Sequence, residues 1–223
     1  MKTLDGSAVL FEDASGLTKI WFCLLANARQ SGRGRQMARS LISRELNLPL
    51  SSIAFACEGG TKPFIENRPR IWFNLSICDS AVVVAVSTAH DIGVDTCAVV
   101  DDFDYESIVE AFFSSPEQVL LSKVAKLERT LEFFRLWSRK EAVVKLFGLG
   151  IAMINLCDLD VSRNQVEFYD QRTRCQLDAF VTDIFLGSHH RVSVATAKPL
   201  MLTQMRRLTL NSCDLPASSE ASK

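Results

Sequence analysis

The stretch FFRLWSRKEAVVKLFGLGI, from Phe133 to Ile151, can settle in few environments. At about 100° per residue, Phe133, Leu136, Val143, Val144 and Phe147 share one arc of a helix. An apolar arc of that width has to be covered by another layer, so the chain must build a helix packed on a sheet or on other helices. Two charges complicate the picture. Lys140 points into the middle of the arc, and Glu141 lies near its edge, between Trp137 and Phe134. Charged side chains are almost never fully buried unless paired, so these two residues need a reason beyond packing.

The rest of the chain is compatible with such a layered fold. Its 223 residues suit one large domain or two small ones, and 48% of them are hydrophobic. A net charge of −1 gives no general sign of nucleic-acid or membrane binding. Seven scattered cysteines with no paired spacing read as small buried hydrophobes in a reducing compartment. Only three histidines occur, none at ligand spacing to a cysteine, which argues against zinc. The opening MKTLDGSAVLFEDASG has early acids, unlike a signal peptide, and no segment reaches the roughly 18 apolar residues of a membrane span. The expectation is a soluble, cytoplasmic protein.

Along the chain, TKIWFCLLA reads as a strand, and SGRGRQMARSLISREL follows as a helix with Met37, Leu41, Ile42 and Leu46 at helical spacing. Its Arg33, Arg35 and Arg39 form either a solvated basic face or a phosphate contact near a helix start. RIWFNLSICDSAVVVAVSTAHDIGVDTCAVV reads as three strands joined by short turns, with AVVVAVS apolar enough to be covered on both faces. After Val100 the chain turns helical. Phe113 ends one piece, Ser115-Pro116-Glu117 starts the next, and the long helix stops at Gly148 or Gly150. CDLDVS, QVEFYD, QLDAFVTDIFLG and HHRVSVATA read as strands, and the tail from Gln204 as flexible. A helix leads into antiparallel strands twice, and VVVAVSTA resembles RVSVATA. The expected class is therefore α+β, with related halves at 1–100 and 101–203 and a flexible tail at 204–223.

Two carboxylates stand out. Asp95 ends the apolar DIGVD, where it is either a turn cap, a salt-bridge partner or a cation ligand. Glu141 alone could be an exposed i, i+4 partner of Lys145. Meeting at a cleft, the two would suit a hard cation such as Mg²⁺, which commonly takes one or two carboxylates plus substrate phosphates. Lys145 lies one turn on, about 6 Å along the axis, near enough to touch a phosphate oxygen. No GxxxxGK[ST], dinucleotide fingerprint or GxSxG is present, and His189-His190 lack a nucleophile partner.

IGVD at Ile92–Asp95, followed about forty residues later by WSRKEAVVK at Trp137–Lys145, resembles the Sfp-type 4′-phosphopantetheinyl transferases. TKPFI, FNLS and FFSSPE match further segments of that family in the same order, over about residues 30 to 198. The resemblance implies two similar α/β halves related by a pseudo-twofold axis, each a small antiparallel sheet with a long helix. Coenzyme A would bind between them as co-substrate. It implies transfer of the phosphopantetheine arm to a serine of an apo acyl or peptidyl carrier protein, dependent on Mg²⁺ with Mn²⁺ as a substitute. Asp95 and Glu141 would be metal ligands, Glu141 also the base, and Lys145 a phosphate contact or aid to the leaving group. Lys62 and Arg35 would contact the phosphates or adenosine end of coenzyme A, and Ser76 would sit by the 3′-phosphate. No nucleic acid or membrane partner is implied, and members of this kind are usually monomers. Two positions depart from the pattern: Cys97 stands where a third acid is common, and Ile77 where a histidine is usual. Thiols are poor ligands for hard cations. Loss of the histidine predicts weaker binding of coenzyme A, or less discrimination against dephospho-coenzyme A.

Overall fold

The computed structural model describes residues 7–56, 62–65, 71–149, 156–170 and 174–209. In chain order they form β1 (Ser7–Asp13), β2 (Thr18–Leu24), α1 (Arg33–Leu46), β3 (Phe55–Ala56), β4 (Phe64–Ile65), β5 (Trp72–Cys78), β6 (Ala81–Ser87) and β7 (Ile92–Ala98). Then follow α2 (Glu106–Phe112), α3 (Ser115–Lys123), α4 (Lys126–Leu146), β8 (Gln165–Asp170), β9 (Cys175–Phe185), β10 (His190–Thr196) and β11 (Leu202–Thr209). The class is α+β, as the alternation of patterns predicts.

A five-stranded antiparallel sheet has the order β11-β1-β2-β6-β5, a four-stranded one the order β7-β10-β9-β8, and β3 pairs with β4. Every residue of β6 is buried, and its alternation explains why. Val82, Val84 and Val86 pack with Met37, Ala38, Leu41 and Ile42 of α1. Ala81, Val83 and Ala85 face the other way and pack with Ile92, Val94, Val192 and Val194 of the four-stranded sheet. The far side of that second sheet, with Val166, Phe168, Ala179 and Val181, receives the apolar arc of α4. The layers thus run α1, first sheet, second sheet, α4, and a period-2 apolar run is buried on both faces because two sheets stack back to back.

Three segments differ from the sequence reading. CDLDVS is not a strand but a 3₁₀ turn at Leu156–Asp158 followed by irregular chain. Side chains claim the backbone groups a ladder would need: Lys140 donates to the carbonyls of Leu156 and Leu159, Arg139 to that of Val161, and the Val161 N–H donates to Glu117. The segment from Gln204 is not flexible from its start. Leu202–Thr209 pairs with β1 through the whole of that strand, and Leu202 and Leu208 pack on the core while the polar residues between them face out. The mostly polar edge hid the strand. β7 hydrogen-bonds with β10 and so lies in the second sheet, although in sequence it follows the first-sheet strands directly. α4 ends as expected at Gly148, whose φ is +63°, a conformation glycine adopts at no steric cost. Gly150 lies outside the described residues.

Candidate active site at the junction of the two sheets

Backbone geometry first fixes how α4 lies on β7. Ser138, Ala142 and Leu146, four residues apart, form one row along the helix. Ser138 Oγ donates to the Asp95 carbonyl at 3.3 Å. A Cβ on Gly93 would stand 2.1 Å from the Ala142 carbonyl oxygen and 2.4 Å from the Leu146 nitrogen. The helix backbone therefore rests directly on the strand, and only a residue without a side chain fits beneath it. On the other edge, β5 is tied to β7 where Asn74 Oδ1 accepts from the Val94 N–H at 3.1 Å.

That packing brings four sequence-predicted residues together. Asp95, buried in mid-strand, accepts from Ser76 Oγ at 2.7 Å and from Lys145 Nζ at 2.6 Å, both through Oδ1. Lys145 Nζ also donates to Ser76 Oγ at 3.1 Å. Lys145 thus pairs with Asp95, across elements, and not with Glu141 on its own helix. Cys97 Sγ donates to Asp95 Oδ2 at 3.3 Å, and burial together with the Asp95 charge pushes that thiol well above its usual range. It remains a thiol and supplies no third hard ligand.

Glu141 has no hydrogen-bond or ion-pair partner among the described residues. Burial pushes its carboxyl from 4.5 up to about 7, with the negative charge of Asp95 adding to the shift and Lys145 opposing it. Two carboxylates that repel each other at a half-buried site, one of them unpartnered, are what a cation would relieve. Among the described residues no three His, Cys, Asp or Glu side chains form a metal cage. Two hard oxygen donors still fit the magnesium pattern, in which water and substrate phosphates complete the shell.

The structure does not draw Arg35 into these contacts. It is exposed on α1, lining an open groove of about 480 Å³ with Gln36, Arg39 and Phe55. Lys62 is engaged: its Nζ pairs with Asp91 and donates to the Ile92 carbonyl at the entry to β7. Burial lowers its pKa, while Asp91 pulls the other way. Ser76 belongs to the Asp95 cluster itself. Ile77 packs against the first turn of α1, within 2.8 Å of where a Gly34 Cβ would stand, and its own side chain offers no donor.

Sequence reasoning missed three supports. Asn74 and Ser138 lie inside quoted motifs, yet their bonds depend on which strand faces which helix. Glu117 was visible only as a helix start. It is fully buried and meets Lys140 Nζ at 2.8 Å, which supplies the partner that Lys140 lacked in the sequence.

The Glu141 carboxyl gives a pH prediction for protein kept in a chelator. Its folded pKa lies above the unfolded value, so the folded state holds the proton longer, and stability falls as pH rises from about 4.5 to about 7. Glu141→Gln removes that loss. Its melting temperature should exceed wild type at pH 8, by an amount equivalent to about 1–2 kcal/mol once partial exposure is allowed for, and match it near pH 4.5. An offset that is equal at both pH values contradicts the assignment.

A sequence profile described as the 4′-phosphopantetheinyl transferase superfamily matches residues 91–196, which hold Asp95, Glu141 and Lys145. Over that span, just under half of its length, the chain is similar to that superfamily. It is similar to the 4′-phosphopantetheinyl transferase psf-1 of Bacillus pumilus, 39% identical over 132 residues, 59% of this chain and 55% of the relative. It is similar to the 4′-phosphopantetheinyl transferase gsp of Aneurinibacillus migulanus, 30% identical over 162 residues, 72% of this chain and 66% of the relative. The 4′-phosphopantetheinyl transferase Sfp of Bacillus subtilis strain 168 is 29% identical over 178 residues, 78% of this chain and 76% of that one. The match thus spans 55% to 66% of the first two relatives' length. No helix among the described residues is long and apolar enough to cross a membrane.

Proposed function

We propose that this chain transfers the 4′-phosphopantetheine arm of coenzyme A to a serine hydroxyl of an apo acyl or peptidyl carrier protein, in the manner of a holo-carrier-protein synthase. The observation that carries the reading is geometric: Glu141, with no hydrogen-bond or ion-pair partner among the described residues, lies one helical turn from Lys145, whose Nζ meets Asp95 Oδ1 at 2.6 Å. In this reading Glu141 takes the serine proton, directly or through a water. The serine oxygen bonds to the phosphorus that bears the pantetheine arm. The pyrophosphate P–O bond breaks, and adenosine 3′,5′-bisphosphate leaves. Lys145, which already sits at 2.6 Å from one anionic oxygen, stabilises charge on the departing phosphate. Ser76 holds Asp95 in place. Bound Mg²⁺, held by Asp95 and Glu141, would supply electrostatic stabilisation of the pyrophosphate and orient it.

The proposal includes two related halves, each with a long helix on one sheet, and coenzyme A bound at their junction. The stacking of α1 and α4 on opposite outer faces supports it. It also includes a monomeric, cytoplasmic protein, with Lys62 and Arg35 as outer contacts for coenzyme A. Lys62 would have to leave Asp91 to take that part.

A second reading is favoured by Cys97 and Ile77: a weakened paralogue that binds coenzyme A or a carrier without efficient transfer. Incubation with coenzyme A, Mg²⁺ and an apo carrier separates the two, since only the enzyme adds one arm to the carrier's mass. Ile77 also predicts that coenzyme A and dephospho-coenzyme A bind with affinities within about tenfold of each other, a difference of about 1.4 kcal/mol or less. Calorimetric titration showing a much larger preference for coenzyme A contradicts this.

A further inference from the structure

The motif pair that flanks the site is joined inside the protein. Lys140 is 1% exposed, and its ammonium is fully committed: to Glu117 Oε2 at 2.8 Å, to the Leu156 carbonyl at 2.8 Å and to the Leu159 carbonyl. An ammonium has three protons to donate, and all three are used. It also lies over the ring of Phe113, 5.5 Å from its centre. Glu117, 0% exposed, is equally engaged. Its Oε2 accepts from the Ser114 N–H at 2.7 Å, and its Oε1 from the Val161 N–H at 2.9 Å. One ion pair therefore locks together the start of α3, the middle of α4 and the 156–161 segment.

Packing alone does not ask for this. A buried ion pair is seldom more stabilising than apolar side chains of the same size, because both charges lose their hydration. What it adds is direction. Glu141 follows Lys140 on the helix and points about 100° away from it. Glu141 makes no hydrogen bond of its own among the described residues, so its aim depends on the rotation of α4, which carries it toward the charges of Asp95 and Lys145. That rotation is pinned on one side by Ser138 and by the bare Gly93 contact. On the other it is pinned by Lys140.

We propose that Lys140 and Glu117 are positioning residues, whose ion pair sets the rotation of α4 and thereby points Glu141 at the cation beside Asp95. The inference rests on the proposed function, in which Asp95 and Glu141 hold a divalent cation.

The test uses the full chain carrying Glu117→Gln together with Lys140→Met, which removes both charges, roughly keeps volume and leaves an amide oxygen for a backbone N–H. Glu117→Gln alone is measured in parallel. Three readouts are taken: thermal unfolding in chelator, Mn²⁺ affinity from the electron paramagnetic resonance signal of free Mn²⁺, and arm transfer to an apo carrier. The double variant is expected to fold and to unfold cooperatively, while its Mn²⁺ affinity drops about tenfold or more, as losses of supporting residues around metal sites do. Transfer should fall with it and recover in part at high Mn²⁺, which a merely structural role would not produce. A folded double variant with wild-type Mn²⁺ affinity overturns the proposal. If neither variant folds, the pair holds the fold rather than aiming Glu141, and the proposal is overturned as well. Wild-type protein that binds no Mn²⁺ and transfers no arm overturns the proposed function and this inference together. Normal wild-type behaviour beside an equally normal double variant overturns the inference alone.

Discussion

Glu141→Ala leaves the protein folded and lowers phosphopantetheine transfer by about 10³-fold or more. The size follows from the proposed function, in which one substitution removes both a general base and a cation ligand, each of which contributes orders of magnitude at a site of this kind. The fold survives because Glu141 makes no hydrogen bond or ion pair among the described residues, and because its half-buried carboxyl is already pushed up to about 7. Truncation removes a repulsion with Asp95 and breaks no hydrogen bond or ion pair among the described residues. The measurement is the initial rate of mass gain by an apo carrier, beside the melting temperature of the same sample. A variant with normal turnover contradicts the role given to Glu141. A variant that melts much earlier than wild type contradicts the claim that the residue serves the site rather than the fold.

Among the described glycines, Gly93→Ala should be the most damaging substitution, for the opposite reason. The added methyl group would stand 2.1 Å from the Ala142 carbonyl oxygen, 2.4 Å from the Leu146 nitrogen and 2.9 Å from the Leu146 Cα. All three are helix backbone, so no rotamer change relieves the contact. Either α4 lifts from β7 or β7 leaves its place in the sheet. Over-packing a core usually costs about 1–3 kcal/mol, and a clash with helix backbone, which cannot turn aside as a side chain can, belongs at or above the top of that range. Loss of about 3 kcal/mol lowers the melting temperature of a chain this long by roughly 6–12 °C. Transfer falls too, because lifting α4 moves Glu141 and Lys145 away from Asp95. A variant within about 2 °C of wild type, set against that scale, would show that the helix does not rest on the strand as described.

The same contact explains what the sequence could and could not reveal. The apolar arc of α4 and the run of β6 are local patterns, and each predicted its layer. So did the acids of IGVD and WSRKEAVVK, because a carboxylate amid apolar residues is conspicuous in one dimension. The partners of these acids were not legible. Lys145 is four residues from Glu141 and fifty from Asp95, yet it is the distant acid that it touches. Spacing on a helix gives the near neighbour only, and the strand that slides under the helix decides the rest. Lys140 shows the same limit. Its partner Glu117 lies on another helix, and the carbonyls of Leu156 and Leu159 come from a segment whose strand-like pattern was misleading. β11 was hidden for a different reason. An edge strand with a polar outer row carries little periodic signal, and only its pairing with β1 reveals it.

The proposed transfer to a carrier protein takes place at the Asp95–Glu141–Lys145 cluster. Purified protein, coenzyme A, Mg²⁺ and an apo acyl carrier protein are mixed, and the intact carrier is weighed with and without a chelator. The predicted result is the mass of one phosphopantetheine arm added to the carrier serine, with adenosine 3′,5′-bisphosphate formed in equal amount, and neither product when the chelator is present. A panel of apo acyl and peptidyl carriers that all keep their original mass, under conditions where a related transferase loads them, would contradict it.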